Sequence, residues 1–234
     1  KYSTTTVPGT GSILALKVIS SGRIVVARKN ASNVTEYYYG TGTSWTSVGA
    51  RPLLGTKARS ALYNLNGDDK VLFVDGVNYP ATYNTSGNSL TAIASSTDVL
   101  GASHVAVFKD TAFYAKGNNV FFTAPSTVDN FAAGDGAGSI SASSDVTGLA
   151  VFRDQLIIFT SDSIKRLTGS TASDFQVSPI ASQMGCINGD TIQEVGGDIM
   201  YLAADGIRLL SATDRIGDFG LDIASDPITK DATK

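Results

Sequence analysis

Apolar residues in this 234-residue chain come in short runs separated by polar doublets. They nowhere sustain the i, i+3, i+4, i+7 spacing of an amphipathic helix. Residues 57–65 and 95–104 are the only stretches with room for a helical turn or two. Elsewhere the pattern is one of strands and tight turns. Its clearest statement is an internal repeat: residues 105–115 (VAVFKDTAFYA) and 149–159 (LAVFRDQLIIF) share four identical positions at an offset of 44. Each copy has two apolar stretches split by Lys109-Asp110 or Arg153-Asp154. Such a doublet between apolar runs predicts a β-hairpin.

The same rhythm runs through the chain. Apolar strands that follow a turn begin at Ile24 (IVVA), Val71 (VLFV), Ala112 (AFYA), Leu156 (LIIF) and Ile199 (IMYL), at spacings of 47, 41, 44 and 43. A further strand is predicted after each, over 35–39, 78–83, 119–123, 163–167 and 206–210. Each unit then closes on an aromatic or leucine in polar surroundings: Trp45, Leu90, Phe131, Phe175 and Phe219. Four short antiparallel strands repeated every 40–50 residues or so are the mark of a β-propeller blade. The fold class predicted is therefore all-β, a propeller-type repeat of five four-stranded antiparallel blades over roughly 11–49, 57–94, 101–133, 145–180 and 189–225. They form one domain, either a small closed ring or an arc of a larger one. A β-sandwich or β-solenoid is the rival architecture, but a single sandwich does not explain five copies. Leu156-Ile157-Ile158-Phe159 is apolar on both faces, as a strand between packed blades must be, whereas Glu36-Tyr37-Tyr38-Tyr39 reads as a half-exposed outer strand. The Gly-rich stretch 132–144 reads as a loop.

Composition narrows the function. Charged residues are 17% of the chain, below the usual quarter or so, and 18 basic against 21 acidic residues leave no excess for gripping phosphates. Sequence-specific nucleic-acid binding is not expected. No apolar run approaches the roughly 20 residues of a membrane-spanning helix, so membrane insertion is not expected either. A single cysteine, Cys186, and a single histidine, His104, exclude intrachain disulfides and multi-His or multi-Cys metal sites. The chain starts at Lys1 and ends in a polar stretch, which reads as a processed chain or a piece of a longer one.

Candidate chemistry is sparse. His104 precedes an apolar strand, and no nucleophile motif accompanies it. Asp68-Asp69 and the Asp135-Gly136-Ala137-Gly138 run lack calcium-loop spacing. The recurring Asp110, Asp154 and Asp198 suit turns, where a carboxylate accepts backbone N–H groups. Tyr37-Tyr38-Tyr39 with Trp45 is either a sugar-stacking platform or simply a covered sheet face. Asn30, Asn33 and Asn84 match the glycosylation acceptor pattern, which chance also produces in a Ser/Thr-rich chain. Cys186, between Gly185 and Ile187, reads as a buried, inert thiol. No catalytic, cofactor-binding or metal-ligating residue is assigned, and no cofactor or enzymatic activity is expected.

Several strings are similar to a known family. His104-Val105-Ala106-Val107-Phe108-Lys109-Asp110 followed by Asn119-Val120-Phe121-Phe122-Thr123-Ala124-Pro125 resembles a blade of the tail nozzle or tubular proteins of short-tailed bacteriophages, some labelled phage stabilization proteins. Thr147-Gly148-Leu149-Ala150-Val151-Phe152-Arg153-Asp154, Ser163-Ile164-Lys165-Arg166-Leu167-Thr168-Gly169, and Gly197-Asp198-Ile199-Met200-Tyr201-Leu202 with Asp205-Gly206-Ile207-Arg208 continue the likeness. It covers about residues 100–215; the first 95 share only the blade rhythm. The resemblance implies a virion structural protein, made in the bacterial cytoplasm. It would sit in a ring of its own copies below the portal, beside neighbouring tail or portal-adaptor proteins, where the genome exits. It carries over no catalytic residues. A net charge of −3 agrees with a conduit that does not hold DNA, and the lack of disulfides agrees with cytoplasmic folding. The alternative is a small carbohydrate-binding propeller or host-surface-binding module.

Overall fold

The computed structural model describes residues 5–51 and 57–211. These residues form five antiparallel sheets in chain order. The first holds β1 (Ile13–Val18), β2 (Ile24–Lys29), β3 (Thr35–Gly40) and β4 (Trp45–Arg51). The second holds β5 (Arg59–Leu65), β6 (Asp68–Val74), β7 (Ala81–Asn84) and β8 (Ser89–Ala92). The third holds β9 (His104–Phe108), β10 (Thr111–Lys116), β11 (Asn119–Phe122) and β12 (Gly138–Ser141). The fourth holds β13 (Val146–Phe152), β14 (Gln155–Thr160), β15 (Ser163–Thr168) and β16 (Gln176–Ser182). The fifth has three strands among the described residues, β17 (Gln193–Val195), β18 (Asp198–Ala203) and β19 (Gly206–Leu209). In every sheet, strands adjacent in sequence are adjacent in space.

The turn doublets form hairpins as predicted. Lys109 and Asp110 have φ of 48° and 56°, and Arg153 and Asp154 have 45° and 61°. Two consecutive positive φ values give the twist that a two-residue antiparallel connection needs. Asn66-Gly67 and Gly196-Gly197 adopt the same conformation with residue types that tolerate it. Phe108 thus pairs with Thr111, and Phe152 with Gln155, across the turn.

The chain divides into two compact units, residues 1–116 with 121–139 and residues 117–120 with 140–234. Within the first unit the sheets stack face to face. Val25, Ala27 and Tyr37 of the first sheet meet Val71, Phe73 and Tyr83 of the second. The rings of Tyr37 and Phe73 lie edge to face at 5.1 Å. The other face of the second sheet, through Leu72 and Val74, meets Ala112 and Tyr114 of the third. The first strands β1, β5 and β9 approach one another, as they do when sheets radiate from a common line. Within the second unit, Ile157 and Phe159 of the fourth sheet pack on Ile199, Tyr201 and Ala203 of the fifth, with Phe159 and Tyr201 rings 5.4 Å apart. Alternate residues of a strand point to opposite faces. The second strand of a blade must therefore be apolar at consecutive positions, which is what IVVA, VLFV, AFYA and LIIF supply.

Polar ties at the first-turn end fasten neighbouring sheets. Asp69 of β6 accepts the Ser20 amide at 2.9 Å and the Ser20 hydroxyl, while Asn64 donates to its other oxygen at 2.7 Å. Tyr63 donates to the Asp110 carbonyl at 2.7 Å, and Arg153 to the Gly197 carbonyl at 2.7 Å.

Four expectations need correction. Residues 59–65 are not helical but form β5, because Ala61 and Tyr63 are the positions that β5 buries against the third sheet. The stretch 132–144 is not merely a loop. It carries the 3-10 turn Ala133–Asp135 and then β12, so the third unit's outer strand lies beyond residue 133. Glycine is required there, since a Cβ on Gly138 would stand 2.7 Å from the Phe122 ring. Phe131, expected to close that unit, instead caps the core from a loop, its ring 5.9 Å from Tyr114. Finally, β3 is not half-exposed: Tyr37 and Tyr38 are buried on opposite faces. Residues 95–104 do hold one 3-10 turn, Thr97–Val99. Phe219 lies outside the described residues.

Two outcomes are expected. Ile158→Ala and Tyr201→Ala, both at fully buried positions, should each cost about 2–5 kcal/mol in urea unfolding; an unchanged midpoint for Tyr201→Ala would refute the packing of the fourth sheet on the fifth. The second concerns acid. The Ser20 hydroxyl holds the Asp69 carboxyl below its usual range, and the hydrogen bond from Arg208 does the same for Asp205. A carboxylate with a lowered folded pKa stabilises the fold above its unfolded value and loses that contribution as pH falls through the folded one. The unfolding midpoint should therefore be flat above about pH 5 and drop below about pH 4. Asp69→Asn should make that drop shallower, as measured by urea titrations at each pH.

Candidate functional site

The edge of the first unit presents an apolar sheet face. In β1 and β2, Ile13 pairs with Arg28, Leu16 with Val26 and Val18 with Ile24. Directly paired residues share a face, and this is the face opposite the one that packs on the second sheet. A bulge at Leu14 turns both Leu14 and Ala15 inward, which keeps Ile13 and Leu16 together on the outer side. Ile13, Leu16 and Val18 are 53%, 53% and 52% exposed. The preceding segment covers part of the same face. Val7 packs against Val26 and Tyr38, and Arg28 donates to the carbonyls of Val7 and, at 2.8 Å, of Gly11. Trp45 donates from its indole to the Thr5 carbonyl at 3.2 Å. In the second unit, the face of the fifth sheet opposite Tyr201 carries Val195, 49% exposed, and Ile207, 37% exposed.

Among the described residues, two small cavities with polar lining residues lie elsewhere. One, of about 300 Å³, opens beside Ser20, Ser21, Arg23, Gly67, Asp69 and Thr85. Its charged groups are committed to the fold: Asp69 to Ser20 and Asn64, as above, and Arg23 to Asn88 at 2.6 Å and to the Tyr39 ring at 4.7 Å. The other, of about 320 Å³, lies in the second unit between Asp162, Lys165 and the serines at 143 and 144.

The residues singled out from sequence are placed as follows. His104 is buried at the start of β9, its Nδ1 within 2.9 Å of the Ser103 hydroxyl. Tyr37 and Tyr38 are core residues, and burial pushes the Tyr37 hydroxyl up to about 12. They offer no sugar platform. Asp110 accepts the hydroxyls of Tyr63 and Ser126, rather than the backbone N–H groups expected of it. Asp198 does accept backbone N–H groups, from Ile199 at 2.8 Å and Ser211 at 3.1 Å. Asn30 accepts the amides of Ser32 and Val34, and Asn84 accepts the Lys70 ammonium at 2.6 Å. Cys186 is fully buried, its thiol donating to the Asn188 carbonyl at 3.2 Å.

One recurring position escaped the sequence reading. Asn30, Asp75, Asn118, Asp162 and Asp205 stand at the turn between the second and third strands of the five sheets, 43–45 residues apart. An Asn or Asp there holds the turn by accepting nearby N–H or O–H groups. Asp75, for example, takes the amides of Val77 and Asn78 at 2.9 and 2.7 Å. Its signal in the sequence is the spacing itself, an Asn or Asp shortly after each apolar second strand.

No protein-family model matches the chain, and no curated protein matches it by sequence. Solved structures do match in fold. The extracellular domain of BT3049 from B. thetaiotaomicron has a TM-score of 0.54 at 12% identity, over 86% of this chain and 28% of that one. The corresponding domain of BT4673 gives 0.56 at 10% identity, over 85% and 26%. YCF48 bound to D1 peptide gives 0.55 at 13% identity, over 85% and 64%. The chain thus spans about a quarter of the first two and less than two thirds of the third. These are β-propeller proteins, and the five sheets of this chain are propeller blades.

Proposed function

We propose that this chain is a non-enzymatic structural component of a phage tail, of the nozzle type, working through interfaces between subunits. Its place would be the virion tail, in contact with further copies in a ring and with neighbouring tail or portal-adaptor proteins. The sequence strings over residues 100–215 support the family, and the propeller fold is consistent with it. The observation that carries the interface reading is the outer face of the first blade. There Ile13, Leu16 and Val18 stand half-exposed on a sheet face built like those that pack blade on blade. At about 25 cal/mol per Å² of apolar surface, such a face favours a partner over water.

A carbohydrate-binding or host-surface-binding propeller is the second reading. With the tyrosine run buried, that reading rests on the cavity beside Asp162 and Lys165 instead.

Native mass measurement, with electron microscopy of the source particle, tests the first reading. A multi-subunit ring is expected, and Leu16→Asp with Val18→Asp should reduce it to a species near the 24.3 kDa chain mass without lowering the melting temperature. A wild-type protein that stays near that mass, free of particles, would sink the tail assignment.

A further inference from the structure

Among the three blades whose turn residue is an aspartate, Asp75, Asp162 and Asp205, the turn is built differently in one. In the second blade, Asp75 is met by the residue three positions on, Asn78, whose amide donates to its Oδ2 at 2.7 Å. In the fifth, Asp205 is met by Arg208 in the same way: Nε donates to Oδ1 at 2.9 Å and Nη2 to Oδ2. Arg208 is buried, and the pair closes the turn. In the fourth blade the equivalent residues are Asp162 and Lys165, and here the pair is apart. The Lys165 ammonium donates to the Ser143 hydroxyl at 2.7 Å. Asp162 instead accepts the hydroxyls of Ser144 and, at 2.8 Å, of Thr160. Both residues line the cavity of about 320 Å³, rimmed also by Ser182 and Gln183. Ser143 and Gln183 hold left-handed backbone, with φ of 77° and 66°, a conformation that side-chain-bearing residues adopt at a cost and that gathers at functional sites.

We propose that this cavity binds a neutral, polyhydroxylated ligand, one hexose unit of a glycan. The chemistry of its wall selects that class. An unpaired ammonium and carboxylate in one wall cancel in charge, and each can address one hydroxyl of a vicinal diol, the first as donor and the second as acceptor. The serine hydroxyls do either. An anion such as phosphate would face the Asp162 carboxylate, which the Ser144 hydroxyl, with Thr160, keeps ionised at neutral pH by holding it below the usual range. A metal cation would face the Lys165 ammonium. The volume sits at the small end of ligand pockets, roughly 300–1,000 Å³, and so suits one ring rather than a chain. Without an aromatic stacking face, affinity falls in the millimolar range. The fifth blade, with its pair closed, has no such role and serves as an internal control. The inference stands apart from the tail assignment, since ligand binding can be read whatever the oligomeric state.

The test is an amide chemical-shift titration of the isotopically labelled full chain with methyl α-D-glucopyranoside, methyl α-D-galactopyranoside and N-acetylglucosamine, each to about 50 mM. Saturable shifts are expected with at least one of them, centred on Ser143, Ser144, Asp162, Lys165 and Gln183 and absent around Asp205. Asp162→Asn and Lys165→Met should each weaken binding about tenfold or more. Both variants should retain the wild-type spectrum elsewhere, and Asp205→Asn should leave the titration unchanged. Three results would overturn the proposal: no saturable shift with any glycoside, shifts undiminished in both variants, or tighter binding of inorganic phosphate at the same amides.

Discussion

A strand that is apolar on both faces needs cover on both sides, and in this chain that demand falls on the middle of the first four blades. Val25 and Val26, Leu72 and Phe73, Phe113 and Tyr114, and Ile157 and Ile158 are consecutive residues that point in opposite directions, all buried. An isolated four-stranded sheet would leave both of each pair in water, at a cost of about 1.5–3 kcal/mol per large side chain. Stacking sheet on sheet removes the cost, and the stack then dictates the rest. It places the Tyr63 hydroxyl against the Asp110 turn and the Ser20 turn against Asp69. The tyrosines Tyr37, Tyr63, Tyr83, Tyr114 and Tyr201 carry much of the inter-sheet packing. A tyrosine spans the gap between sheets with its ring and still delivers its hydroxyl to a polar partner, as Tyr114 does at the Val128 carbonyl, 2.9 Å away. That need to satisfy a buried hydroxyl explains why the polar ties sit where the large aromatics end.

The same demand explains which parts of the structure were legible in the sequence. Consecutive apolar residues after a turn doublet mark the second strand of each blade, and in the first four blades that strand is covered on both faces. The repeat length, the hairpins at Lys109-Asp110 and Arg153-Asp154, and the count of five sheets all follow from that signal. The outer strands give a weaker one. β12 is written Gly-Ser-Ile-Ser, with its glycine chosen for close approach to Phe122 rather than for strand propensity, so it reads as a loop. Phe131 and Phe175 recur at blade spacing for different reasons. Phe131 plugs a core from a loop, and Phe175 immediately precedes β16. β5 was obscured because its inward positions include the small Ala61 beside the polar Ser60 and Asn64.

Features of the candidate sites were less legible, since they depend on register and reach rather than on residue type. Ile13, Leu16 and Val18 do not alternate regularly. Only the bulge at Leu14 puts all three on one face, and a one-residue change of register would reverse their exposure. The tyrosine run misled for the converse reason. Its composition suits a ligand platform, but β3 lies inside the sheet between β2 and β4, with the second blade on one face and Val7 on the other. Exposure there is decided by neighbours far away in sequence.

The turn between the second and third strands shows how a repeated scaffold can free one copy for another use. Its Asn or Asp must hold the turn, and in the second and fifth blades the residue three positions on completes that work. Asp162 has the work done by two hydroxyls, those of Ser144 and Thr160. Thr160 belongs to the strand preceding the turn and Ser144 to the loop entering the blade, so the carboxylate is already anchored before Lys165 is considered. Removing the need for an ion pair at that turn leaves the ammonium able to reach the neighbouring loop at Ser143. The separation of the two charges is therefore a consequence of where two hydroxyls fall in the sequence. It costs the fold little, because a partly exposed Lys–Asp pair contributes at most about 1 kcal/mol. The buried Arg208 has no such latitude: without Asp205 it would leave a charge inside the sheet stack, and that blade keeps its pair closed.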